Sequence, residues 1–78
     1  MKKGLEVFTV RLKALREEKG IKQVEMAVFL GCSMRNYQRI EHGEVNVPAT
    51  TLMTLADYFS VSTDYLLGRS EEGGPPLP

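Results

Sequence analysis

Apolar positions recur three and four residues apart along most of the chain, and no run of four to eight residues alternates cleanly between apolar and polar. That period belongs to helices whose one face is buried, and it argues against strands. Val7, Phe8, Leu12 and Leu15 make a first stripe, closed by Lys19 and the stop signal Gly20. Gln23 to Leu30 reads as a second short helix with Met26, Ala27 and Leu30 inward. After Gly31-Cys32, Ser33 is placed to cap a third helix with Tyr37 and Ile40 inward, and Gly43 ends it. Pro48 opens a fourth, whose stripe is Leu52, Leu55, Ala56 and Phe59. Ser62 is placed to cap a last turn or two carrying Tyr65, Leu66 and Leu67. The pattern predicts an all-α chain of five short helices over residues 1–68, with an N-terminal extension at 1–5. Residues 69–78, RSEEGGPPLP, are polar and rich in Gly and Pro. They hold too little apolar surface to order themselves, so a disordered tail is expected in preference to a polyproline ligand.

Residues 23–42, QVEMAVFLGCSMRNYQRIEH, form a unit of their own. Two short helices that cross steeply through a three-to-four-residue turn need a small residue at the close approach and a glycine in the turn. Ala27 and Gly31 stand at those places, and Met26, Leu30, Cys32, Tyr37 and Ile40 are expected to fill the inside. That is the pattern of a helix-turn-helix, although many αα corners share part of it.

The chain has 78 residues, enough for one domain and no second core. Its one cysteine, Cys32, excludes an internal disulfide and a thiolate zinc site. No apolar stretch approaches the roughly 20 residues that cross a bilayer, and Met1-Lys2-Lys3 leads into no signal-peptide run, so a cytoplasmic protein with no membrane contact is expected. Ten basic and ten acidic side chains cancel, but unevenly along the chain. Residues 1–22 carry net +4, residues 23–44 net −1 and residues 45–78 net −3. A polarised chain of zero total charge is still able to present a basic face to an anionic partner.

The segments RLKALREEKGIKQ, LGCSMRNYQRIEHG and LADYFSVSTDYLLG resemble those of the Cro/repressor-type (XRE) helix-turn-helix regulators, from about Val10 to Gly68. The resemblance implies a compact five-helix, lambda-repressor-like fold that binds double-stranded DNA. It further implies a homodimer on a two-fold symmetric operator, in the manner of a small phage-type or mobile-element repressor. Carried over position by position, Gln23 opens the second helix where relatives touch a phosphate or a base edge. Ser33 opens the third, whose N-terminal end enters the major groove. Met34, Arg35, Gln38 and Arg39 then project outward. Arg35 or Arg39 would bond guanine O6 and N7, and Gln38 adenine N6 and N7. Asn36 and His42 would donate to phosphates. Glu41 takes the position that pairs with an arginine of the first helix, here Arg16.

Several positions depart from the family's pattern. The loop His42 to Pro48 carries Glu44 and no Lys or Arg where relatives often have them, which weakens attraction to phosphates. Met34 is apolar where a polar base reader is common, and suits a thymine methyl. Lys22 stands where Ser or Thr often caps. Val24, Val28 and Phe29 occupy places on the second helix that are usually charged. They are either a partner surface or a patch covered by Leu5 and Val7. The last helix around Tyr65, Leu66 and Leu67 is the other candidate for a homodimer contact. A second function class stays open on these grounds, an antitoxin-like or adaptor module that keeps the fold with weak DNA affinity. No catalytic residues, metal ligands or cofactor are expected. His42 is the only histidine, Glu17-Glu18 and Glu71-Glu72 suit solvated faces, and no phosphate-binding glycine loop or nucleophile elbow occurs.

Overall fold

The computed structural model describes residues 5–72. Among these residues five helices follow one another: α1 (Glu6–Glu18), α2 (Gln23–Leu30), α3 (Met34–Glu41), α4 (Ala49–Phe59) and α5 (Thr63–Leu67). No strand occurs among the described residues. The chain divides between Asn46 and Val47 into two compact units.

The first unit holds α1, α2 and α3, with α3 packed on both of the others. The buried side of α1 is Phe8, Thr9, Leu12 and Arg16. Val7 is exposed and Leu15 half-buried, so the stripe is rotated from the purely apolar one the sequence predicts. Two polar residues take inward places because each has internal partners. Thr9 Oγ1 donates to the Glu6 carbonyl at 2.8 Å, and Arg16 is held as described below. On α2, Met26 and Ala27 are buried, whereas Leu30 is half-buried. Cys32, expected inside, is also half-buried, because it lies in the turn and not on a helix face. Tyr37, Ile40 and Glu41 form the buried side of α3. Ser33 caps that helix, its Oγ accepting from the Asn36 N–H at 3.0 Å. At α2, Lys22 supplies no such acceptor; the Glu25 carboxylate instead takes the Lys22 N–H at 3.0 Å, one half of a capping box.

In the second unit α4 packs on α5. Leu55, Ala56 and Phe59 of α4, Val61 of the connection and Leu66 of α5 are buried, with Leu52, Tyr65 and Leu67 half-buried. Pro48 precedes α4, and Ser62 caps α5 by accepting from the Tyr65 N–H at 3.0 Å. Residues 69–72 of the expected tail are not helical. Its remainder, 73–78, and most of the N-terminal extension, 1–4, lie outside the described residues.

All five helices end alike. A residue with positive φ stands after each, and two backbone bonds reach back over the last turn, as from Gly31 to Val28 and from Cys32 to Ala27 at 3.1 and 3.0 Å after α2. That residue is glycine four times and Ser60 once, at φ 56°. The turn between α2 and α3 is therefore set by backbone, with Gly31 at φ 71°.

Candidate nucleic-acid interface

A buried ion pair joins α1 to α3. Arg16 Nε donates to Glu41 Oε2 at 2.8 Å and Nη2 to Oε1 at 3.1 Å, the two-pronged arrangement that suits guanidinium and carboxylate. The third prong, Nη1, reaches the Ile21 carbonyl at 2.7 Å and ties in the chain after α1. Glu41 accepts twice more, from Tyr37 Oη at 2.6 Å and from Gln23 Nε2 at 3.1 Å. Its side chain is only 1% exposed, yet every lone pair is occupied. Burial pushes its carboxyl up, but the bonds from Arg16, Tyr37 and Gln23 outweigh that and hold it below the ordinary glutamate value. Tyr37 moves the other way. Burial first, then its bond to Glu41, raises the phenol far above its ordinary value. Among the described residues no buried side-chain nitrogen or oxygen lacks a partner.

This pairing fixes the rotation of α3 about its axis. At about 100° per residue, Arg35 and Arg39 fall near the middle of the side opposite Tyr37, Ile40 and Glu41. Both arginines are exposed. Met34, 39% exposed, and half-buried Gln38 lie on the flank toward the start of α2, and exposed Asn36 lies on the other flank. Ser33 is exposed, with its hydroxyl serving as the cap. Gln23 is half-buried between Glu41 and Gln38: its Nε2 donates to Glu41, and its Oε1 accepts from Gln38 Nε2 at 3.2 Å. The outward set expected from sequence is thus brought together on one helix, with Gln23 tied to it. Sequence reasoning missed the tie, and it also missed the Tyr37–Glu41 bond, whose four-residue spacing on one helix would have flagged that bond alone.

His42 is exposed at the end of α3, with Nδ1 3.4 Å from Glu44 Oε2. The acidic residue of the loop thus stands beside an expected phosphate donor. Val24 and Val28 on α2 are 48% and 75% exposed, so none of the described residues is folded over Val28, and Phe29 is 46% exposed. This overturns the reading in which Leu5 and Val7 cover them; Val7 belongs to α1 and is itself 43% exposed. Among the described residues no three His, Cys, Asp or Glu side chains converge as metal ligands, and no helix is long and apolar enough to cross a membrane.

The geometry agrees with the sequence relationship. The profile of a helix-turn-helix family matches residues 12–66, which span α2, α3 and the ion pair beneath them. The chain belongs to the XRE-type helix-turn-helix family. Its all-α succession of five helices agrees with the lambda-repressor-like fold class of that family. It is similar to the SPbeta prophage-derived uncharacterized HTH-type transcriptional regulator YonR of Bacillus subtilis (strain 168), with 41% identity over 61 residues, 78% of this chain and 56% of that protein. It is also similar to the HTH-type transcriptional regulator ImmR of the same organism, with 38% identity over 61 residues, 78% of this chain and 48% of that protein. The chain spans about half the length of these curated relatives. No solved structure matches it.

Proposed function

We propose that this chain is a sequence-specific double-stranded DNA-binding transcriptional regulator, a repressor of phage or mobile-element type, working in the cytoplasm without catalysis or cofactor. Residues 1–68 are its binding domain. It acts as a homodimer that sets α3 of each copy in major grooves about 34 Å apart. The observation that carries the reading is the outward face of α3, where Arg35, Arg39 and Gln38 stand together above the Arg16–Glu41 pair that fixes the helix's rotation. Arg35 or Arg39 meets a guanine edge, Gln38 meets adenine and Met34 packs on a thymine methyl. Asn36, His42 and the start of α3 at Ser33 meet phosphates, which position the domain without reading sequence. Gln23 takes part through Gln38. The printed names of the two relatives, both HTH-type regulators and one prophage-derived, support this class.

The exposure of Val24 and Val28 favours a second reading, a protein-interaction module of antitoxin or adaptor type that uses this face of α2. In the first reading the same face, or α5 around Tyr65, Leu66 and Leu67, joins the two copies. Selection of bound duplexes from a random pool, at low and then physiological salt, separates the two. A two-fold symmetric motif is the expected result; a folded protein that enriches nothing at either salt supports the interaction module.

A further inference from the structure

The hydrogen-bond chain from Glu41 through Gln23 to Gln38 has a fixed polarity. Ionised Glu41 is an acceptor only, so the Gln23 amide must turn its Nε2 inward, as it does at 3.1 Å. Its Oε1 then faces Gln38, and only an N–H is able to answer it, as Gln38 Nε2 does at 3.2 Å. Turning Gln38 round would set two amide oxygens against each other. Turning Gln23 as well would set an oxygen against the Glu41 carboxylate. One hydrogen of Gln38 Nε2 is therefore committed, and what remains toward solvent is Oε1 with one N–H beside it.

We infer that Gln23 is a positioning residue that fixes which way round the Gln38 amide faces the groove, so that Gln38 favours a base with a major-groove amino group over one with an oxygen there. Adenine satisfies both remaining atoms, its N6 amino group donating to Oε1 and its N7 accepting the N–H. Guanine O6 and thymine O4 are acceptors and meet Oε1 unfavourably. The inference rests on the proposed role of α3 in base contact. It differs from the direct contact expected of Gln23 on sequence grounds, because Gln23 Oε1 and one Nε2 hydrogen are engaged within the protein.

The test compares base preferences of the wild type, Gln23→Met and Gln38→Ala on single-base variants of the selected motif. Gln38→Ala locates the base pair in question. At that pair Gln23→Met is expected to lower the preference for adenine over guanine or thymine by about tenfold. The loss should come chiefly from tighter binding of the disfavoured duplexes. A merely structural role gives no gain at a wrong base; equal weakening on every duplex, or an unchanged profile, overturns the inference. A wild type that selects no motif overturns the proposed function with it, whereas a wild-type motif left intact by Gln23→Met overturns this inference alone. A measurement on the wild type guards against a variant that fails to fold. One Gln38 side-chain N–H should exchange with solvent more slowly than that of an exposed glutamine, and equal exchange contradicts the proposal.

Discussion

At the scale of single residues, the Arg16–Glu41 pair sets the terms for everything on α3. Four donors fill the Glu41 carboxylate, so removing one partner strands a charge that water does not reach. Arg16→Ala should therefore cost about 3–5 kcal/mol, read as a lowered melting temperature. A melting temperature within a degree of the wild type would show that the pair contributes little. Glu41 and Tyr37 also give stability a pH window. Glu41 is held below its ordinary value of 4.5, so its contribution is present above that value and is lost as pH falls through the depressed one. Tyr37 is raised above its ordinary 10.0, so its contribution is present below about pH 10 and is lost as pH climbs beyond. Melting between pH 3 and 11 should fall at both ends, and Tyr37→Phe should flatten the alkaline fall while lowering the plateau. An alkaline fall of unchanged size in that variant would assign it to other groups. The pair was legible in the sequence only by resemblance, since no periodicity connects residues 25 apart. The hydrogen bonds of Gln23 were not legible at all, because an amide's partners depend on how two helices cross.

At the scale of elements, the stops were more legible than the stripes. Glycine marked four of the five helix ends because a left-handed residue strongly favours it, and Ser33 and Ser62 announced their caps. The end of α4 gave no such signal, since Ser60 takes φ 56° without being glycine. The stripe on α1 was displaced because Thr9 and Arg16, which an apolar stripe leaves out, have partners indoors. A Cβ added at Gly31 would meet nothing within 4 Å, so the cost of Gly31→Ala is that of the backbone alone, about 1–2 kcal/mol. Ser60→Gly should stabilise by up to about 1 kcal/mol for the same reason. Chemical denaturation of the two variants checks both signs. A much larger loss at Gly31 would mean that the turn between α2 and α3 is sterically closed, contrary to the open space around it.

At the scale of the whole molecule, the proposed function has charge set how strongly DNA is held and α3 set which DNA is chosen. The total is zero, and the loop after α3 carries Glu44 beside His42. Affinity should thus fall with salt by about 0.9 log units per log unit of salt for each phosphate neutralised, with few phosphates engaged. Glu44→Lys should raise affinity for all duplexes alike and steepen that slope by about 1; an unchanged slope would place the loop away from the backbone. The order of helices and the outward face of α3 were legible in the sequence, and so was the uneven charge beneath its neutral total. The most direct test is to select duplexes from one random pool with the wild type and with Arg35→Ala in parallel. The expected result is a two-fold symmetric motif for the wild type and, for the variant, the same motif with preference lost at one base pair of each half-site, the melting temperature unchanged. Equal weakening on every sequence, or an identical motif from both proteins, would contradict the claim that the exposed face of α3 reads bases.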